Sequence, residues 1–212
     1  DTNASVDGDG SIDFDAVGGI IMGLRANASV GTDGDITVNS TTAGDIALEK
    51  EATMTVGNDG NITITTTDGD ITIGQQADMS VGNDGNIDLN SSDGFSQGVS
   101  STVAIAGDGN ITNDAADGDI TMSINASHKV LGDGDISFTA SDNIDMGVNT
   151  VVDVDGASGT ANDVTFTASA GYITMQDEAT TSTNAGDIEY SAATNIIMEI
   201  DSDVIVDTDG DV

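Results

Sequence analysis

The chain has 212 residues, of which 38 are acidic and three are basic, so its formal net charge is -35 at pH 7. It lacks the cations that bind nucleic-acid phosphates or an anionic membrane surface, and we expect neither partner. A run of about 18 apolar residues, which would predict membrane insertion, is missing from the sequence.

Composition favours an ordered chain of strands over a disordered one. An acidic chain can be disordered, but 37% of these residues are hydrophobic and they are regularly placed. There are 27 glycines and no prolines. Proline cannot donate to a strand ladder, so its absence is typical of a chain that consists mostly of strands. Cysteine is also absent, which leaves no disulfide to predict.

One phrase recurs along the chain about every 25 residues: "GNDGNITI" begins at Gly57 and "GNDGNIDL" at Gly82. Each copy opens with a predicted strand that starts at an aliphatic residue. Successive copies place this residue at Ile12, Ile36, Ile62, Ile87, Ile111, Ile136, Val164, Ile188 and Val212, in steps of 24 to 28 residues. An apolar residue follows two positions later in most copies, with Asn113 as an exception. This alternation predicts a strand with one buried face.

A second predicted strand follows in each copy, and a third closes it. The inward pairs of the second strand are Ile20/Met22, Ile46/Leu48, Ile71/Ile73, Ile120/Met122, Ile144/Met146, Ile173/Met175 and Ile196/Met198. The fourth copy, "DGFSQGV" at 93–99, is predicted to break this pattern. The third strand carries Ala28/Val30, Met54/Val56, Met79/Val81, Val103/Ile105, Val152/Val154 and Val204/Val206.

These units predict an all-β fold, a parallel β-helix (β-solenoid) of about eight coils with three short strands each. One coil cannot bury its own apolar face, whereas stacked coils align like side chains in interior columns. We expect a single solenoid over residues 1–212. Neither end shows a capping helix or a polar terminal coil, and this favours either part of a longer repeat array or a subunit that stacks end to end.

Three positions before the key aliphatic residue lies an aspartate column, defined by Asp9, Asp33, Asp59, Asp84, Asp108 and Asp133. Asp209 belongs to the same position, and Ala161 and Ala185 interrupt it. Stacked carboxylates repel one another, so something must offset the repulsion. One hypothesis is calcium, which prefers carboxylate and carbonyl oxygens. The other is plain turn chemistry, in which aspartate hydrogen-bonds to nearby backbone.

Other candidate groups have structural interpretations. Asn61, Asn86 and Asn110 occupy one position of consecutive copies and predict a ladder of stacked amides. The methionines alternate with Leu48 and Ile73 in one column, which favours core filling over a soft-metal site. His128, the single histidine, has no cysteine or serine nucleophile motif nearby, and we expect an exposed strand residue. Neither a catalytic residue nor an enzymatic activity is predicted.

The phrases "AGDIALEKEATMTV", "DGDITI", "DGNITI" and "GDGDISFTA" resemble the repeats of filamentous-haemagglutinin-type adhesins, which are secreted bacterial β-helical exoproteins. The likeness is one of repeat style and extends over most of 9–212. It implies an extracellular or cell-surface shaft, without any catalytic residue. The amino-terminal secretion domain of those adhesins has no counterpart here, and the scarcity of lysine, the lack of proline and the excess of aspartate are departures from their pattern.

The sequence therefore favours a structural role as a rod segment of an extracellular fibre, filament or adhesin stalk that associates end to end with itself. The alternative is a binding module whose flat face recognises polysaccharide or another repetitive surface, such as a cell-surface glycan. Thr37, Thr63, Thr112 and Thr165 share one outward column and favour that alternative. Asp13, Asp88, Ser137 and Glu189 interrupt the column. A glycan-cleaving β-helix is a third hypothesis, disfavoured because the chain offers no basic cleft.

Overall fold

The computed structural model describes residues 3–157, 162–207 and 210–212. Over these residues the chain forms 25 short strands and no helix. The strands make three parallel sheets, and each strand pairs with the equivalent strand of the next coil. The fold is therefore the predicted β-solenoid of about eight coils, with three strands in each coil.

Each coil runs from sheet B through sheet C to sheet A. Sheet A contains β1 (Asn3–Val6), β4 (Asn27–Val30), β7 (Thr53–Val56), β10 (Asp78–Val81), β13 (Thr102–Ile105), β16 (Ser127–Val130), β19 (Val151–Val154), β22 (Thr180–Thr183) and β25 (Asp203–Val206). Sheet B contains β2 (Ile12–Ala16), β5 (Ile36–Ala43), β8 (Ile62–Asp68), β11 (Ile87–Ser91), β14 (Ile111–Ala115), β17 (Ile136–Ala140), β20 (Val164–Ala168) and β23 (Ile188–Ala192). Sheet C contains β3 (Ile20–Met22), β6 (Ile46–Leu48), β9 (Ile71–Ile73), β12 (Phe95–Gln97), β15 (Ile120–Met122), β18 (Ile144–Met146), β21 (Ile173–Met175) and β24 (Ile196–Met198).

The strands pair in the register that the repeat predicts. Ile62 pairs with Ile36 on one side and with Ile87 on the other, and Ile87 pairs in turn with Ile111. All four side chains are fully buried. Because equivalent positions lie side by side along the axis, one aliphatic position of the repeat becomes one continuous column of the core.

The fourth copy does not break the pattern, and that prediction was wrong. Phe95 of β12 pairs with Ile71 and Ile120, while Gln97 pairs with Ile73 and Met122. Both side chains are buried. Phenylalanine fills the isoleucine position, and the Gln97 amide donates from Nε2 to the carbonyl oxygens of Ser101 and Ser127, 3.2 Å from each. The backbone register is kept because parallel pairing depends on main-chain groups, whichever side chain points inward.

Aromatic side chains stack along the interior of sheet B. Phe166 lies parallel to Phe138 at a ring-centroid distance of 4.9 Å and parallel to Tyr190 at 4.8 Å. This spacing matches the separation of adjacent strands, so each ring covers the next. Burial raises the pKa of the Tyr190 phenol.

The methionine column fills the core as predicted. Met22, Met122, Met146 and Met175 are buried, whereas Met198 of β24 is 46% exposed because it lies in the last complete sheet C strand of the described chain. The same strand leaves Ile196 and Ile197 partly exposed. An apolar coil face is therefore open to contact at this end of the described solenoid.

Each turn between sheet C and sheet A contains a left-handed residue that is not glycine. The φ angles of this column range from 55° to 60° at Arg25, Glu51, Gln76, Ser100, Asn125, Asn149, Glu178 and Asp201. Such a conformation disfavours most side chains but is tolerated by asparagine and aspartate. This turn, which we call the left-handed corner, therefore keeps its geometry in every coil. The conformation costs some stability in the coils that carry arginine, glutamate or glutamine there.

Candidate functional site

The carboxylates of the aspartate column bind the next coil of the protein itself. Asp84 Oδ1 accepts a hydrogen bond from the backbone N–H of Asp108 at 2.9 Å, and Asp108 Oδ1 accepts one from that of Asp133 at 2.8 Å. Asp133 Oδ1 in turn accepts the N–H of Ala157. In the earlier coils, Asp33 and Asp59 accept from the side-chain amides of the following coil, and Asp9 accepts from a threonine hydroxyl.

These bonds explain how the aspartate column tolerates its own charge. Each carboxylate gains charge-assisted hydrogen bonds from donors of the neighbouring coil, and these offset the repulsion between stacked carboxylates. These carboxylates therefore bind donors of the next coil, about 25 residues away, whereas the turn-chemistry hypothesis expected bonds to nearby backbone. In the three described ranges, no group of three or more histidine, cysteine, aspartate or glutamate side chains has a geometry that could hold a metal ion. Calcium stays a prediction, and Asp209 and Ala161 lie outside the described residues.

The asparagine column also forms a ladder, as predicted. Asn86 donates its backbone N–H to Asn61 Oδ1 at 2.9 Å, and the Asn110 N–H donates to Asn86 Oδ1 at 2.9 Å. Asn61 itself donates from N and Nδ2 to Asp35 Oδ1. Aspartates continue the ladder beyond Asn110, ending with the Asp211 N–H on Asp187 Oδ1 at 2.8 Å.

A third ladder, which the sequence did not reveal, lies at the entry to sheet C. Asp45 Oδ1 accepts the Asp70 N–H, and Asp70 Oδ1 accepts the Gly94 N–H. Asp119 Oδ1 then accepts two bonds from Asn143, at 2.9 Å each. In all three ladders the acceptor lies in one coil and the donor in the next, so the side chains give the solenoid a direction along its axis.

A shallow acidic groove of about 360 Å³ lies beside the third ladder and is lined by Asp70, Asp93 and Asp119. Burial raises the pKa of the Asp93 carboxyl, and the neighbouring carboxylates of Asp68 and Asp70 raise it further. The part of this shift that comes from the neighbouring carboxylates reflects the negative charge at this edge of the solenoid.

The structure places several polar side chains of the described residues in the apolar interior. Gln97, Asn113 and His128 are all fully buried. Both side-chain atoms of Asn113, both ring nitrogens of His128 and Oε1 of Gln97 have no hydrogen-bond partner among the described residues. The predicted exposure of His128 was therefore wrong. His128 pairs with Val103 and Val152 in an inward column of sheet A, because it lies two residues before Val130 just as Val103 lies two before Ile105.

The outer face of sheet B is polar and rich in hydroxyl groups. Its two outward columns include Thr63 and Thr65 of β8, beside Thr37 and Asn39 of β5. Ser137, Thr139, Thr165 and Thr167 form a second uncharged patch on β17 and β20. A groove of about 240 Å³ crosses this face, lined in part by Asn110, Thr112 and Ser137.

These features define a parallel β-solenoid whose polar side chains bond one coil to the next. No family model matches the chain, and no curated protein or solved structure matches it either. None of the described residues belongs to a helix that is long and apolar enough to cross a membrane.

Proposed function

We propose that this chain is a structural rod segment of an extracellular fibre, filament or adhesin stalk. The observation that supports this most strongly is the continuous parallel pairing of all three sheets along the axis through the described coils, with a register shift between Ser40 and Ala43 where β5 pairs with β8. Axial force would load many such bonds at once, because three strands pair at each coil boundary. About eight coils at a strand spacing of about 4.8 Å give a rod roughly 40 Å long.

The charge distribution fits a rod that does not adhere along its sides. Aspartates lie on the outer columns and turns, and the net charge is -35. Such a charge repels parallel rods at low ionic strength and is screened by salt. The repeat style that resembles secreted adhesins favours an extracellular or cell-surface location.

End-to-end association is part of the proposal. The side chains of Ile196 and Met198 at the β24 end belong to columns that are fully buried in central coils, yet they are 48% and 46% exposed here. At the opposite end, Phe14 and Ile20 are only partly buried. A coil stacked on either face would bury these side chains and pair the open strand edges.

Electron microscopy of the purified chain tests the proposal. We expect linear assemblies that lengthen with protein concentration, and a comparison of added calcium with a chelator shows whether the ion contributes. Met198→Asp places a charge on the end face and is expected to leave single short rods. Ala47→Asp adds the same charge on the outer surface of sheet C and is expected to assemble like the wild type. Short rods at every concentration, unchanged by Met198→Asp, would refute end-to-end association.

The outer face of sheet B supports a second candidate function, recognition of a polysaccharide or another repetitive surface. Its hydroxyl and amide groups repeat at the strand spacing and can donate and accept hydrogen bonds toward a polyhydroxylated ligand. A glycan array with the wild type and Thr165→Lys tests this. Binding that the variant loses would favour the second candidate, whereas no binding to any glycan would leave the rod as the proposed function.

A further inference from the structure

Among the described residues, His128 is the only fully buried side chain whose ordinary pKa lies between 4 and 8. Its ring lies between aromatic side chains, with an edge-on contact to Phe138 at a centroid distance of 4.9 Å and another to Phe95 at 6.4 Å. Neither ring nitrogen has a hydrogen-bond partner in the described chain. A protonated imidazole in this place would be a buried cation without a counterion.

The strands packed against His128 offer no compensating charge. Val103 and Val152 flank it in sheet A, and the inward residues of β12, β14, β15 and β17 beside it are uncharged. The charged residues of the nearby strands lie at outward positions: Lys129 on β16, Asp153 on β19, Asp114 on β14 and Asp145 on β18. Burial consequently lowers the pKa of the His128 imidazole to about 3.

We propose that His128 makes the central part of the solenoid acid-labile, so that at mildly acidic pH the coils between residues 87 and 154 open locally while the flanking coils stay closed. These central coils contain β11 to β19. Among them, β13 and β19 pair with the strand of His128, and Phe95 of β12 and Phe138 of β17 contact its ring. The ring can take up a proton only when they separate and admit water. The equivalent position of the other sheet A strands holds alanine, methionine, valine or, in β22, Thr181, and none of these side chains titrates.

The size of the effect follows from proton linkage. An exposed imidazole has a pKa of about 6.5, so the open form gains a proton below that pH while the closed form stays neutral until about pH 3. Above about pH 6.5 the free energy of opening therefore does not depend on protonation of His128. Below that pH, the free energy of opening decreases as the pH falls. The equilibrium constant for opening should rise about 30-fold between pH 7.5 and pH 5.0.

Three carboxyl groups in the same coils act in the opposite direction. Burial raises the pKa of Asp88, Asp93 and Asp145 in the folded chain, so protonation of these groups favours the closed form as the pH falls. The contribution of His128 to the pH dependence of opening is therefore measured as the difference in that dependence between the wild type and a variant without the imidazole. His128→Val is the matched variant, because valine occupies the equivalent position at Val103 and Val152.

Hydrogen exchange measured between pH 7.5 and pH 5.0, corrected for the intrinsic pH dependence of exchange, tests the proposal. Between these pH values we expect opening of 87–154 to increase about 30-fold more in the wild type than in His128→Val, with 36–81 as the internal reference. The same pH response in both chains, or equal opening of all coils, would overturn the proposal. A single histidine also gives one Cε1 proton resonance. If this resonance titrated with a midpoint near pH 6.5 in the folded protein, that result alone would overturn the proposal.

Discussion

Gly85 lies so close to Gly60 of the preceding coil that a Cβ atom added to Gly85 would come within 1.9 Å of the Gly60 carbonyl oxygen. Gly85 also has a φ of 151°, and its N–H donates to the Asp108 carbonyl oxygen. The contact recurs at most coil boundaries, for example between Gly109 and the Gly85 carbonyl oxygen at 1.7 Å. Glycine in this column therefore permits the close stacking of coils, beyond its use in a turn, and Asn162 is the one described residue that replaces it.

We expect Gly85→Ala to lower the free energy of unfolding by about 2–4 kcal/mol, since the methyl group must displace backbone in a tight stack. Denaturant unfolding followed by circular dichroism measures the change. Gly8→Ala is the matched control, because a Cβ atom at Gly8 meets nothing within 4 Å. Equal stability of Gly85→Ala and Gly8→Ala would show that the coils do not approach as closely as the structure indicates.

The left-handed corner offers a stabilising substitution. Gln76 has a φ of 56°, and its N–H donates to the Val99 carbonyl oxygen. Gln76→Gly removes the Cβ strain of this conformation and should raise the unfolding free energy by about 0.5–1 kcal/mol, with Gln76→Asn giving part of that gain. Thermal unfolding reports the change. Gln75→Gly, next to it but outside the left-handed region, should instead lower stability, and a gain there would contradict the strain argument.

The asparagine ladder predicts that a single side-chain amide stabilises the contact between two neighbouring coils. Asn61 Oδ1 accepts the Asn86 N–H, so Asn61→Ala leaves that donor without its partner and should cost about 1 kcal/mol. Asn61→Asp keeps the acceptor oxygen and should cost less at high salt than at low salt. Asn90→Ala, on the outer face of β11, should change stability by less than about 0.5 kcal/mol. A loss in Asn90→Ala as large as that in Asn61→Ala would argue against the ladder.

The buried amide of Asn113 predicts an improved core. Asn113 pairs with Leu89 and Phe138 in an otherwise apolar column, and neither of its side-chain polar atoms has a partner among the described residues. Asn113→Leu should raise the unfolding free energy by about 1–3 kcal/mol, because it removes an uncompensated polar group. The reverse change in the adjacent coil, Leu89→Asn, should lower it by at least as much. A lower unfolding free energy for Asn113→Leu would mean that the contacts of the Asn113 amide stabilise the fold by more than the burial of this amide destabilises it.

The repeat in the sequence was enough to predict the class of fold and most of the core. Parallel in-register pairing makes residues about 25 positions apart spatial neighbours, so that a column such as Ile36, Ile62 and Ile87 is visible as a spacing before any coordinates are known. The prediction failed at residues that were judged by their type and not by their position in the repeat. Phe95 and Gln97 look unlike Ile71 and Ile73 but occupy their register, and His128 occupies the place of a valine.

By itself the sequence determined the period, the inward columns and the glycine at most of the tight corners. These features depend on local alternation of apolar and polar residues and on the pairing of equivalent residues in successive coils. Only the tertiary structure showed which donors the aspartates bind. The sequence places a carboxylate oxygen in the turn, and the structure shows that the next coil brings a backbone N–H within 2.9 Å of it. Burial of His128 was decided in the same way, since a side chain is isolated from water by the coils stacked on both sides of it, which the sequence of one coil does not contain.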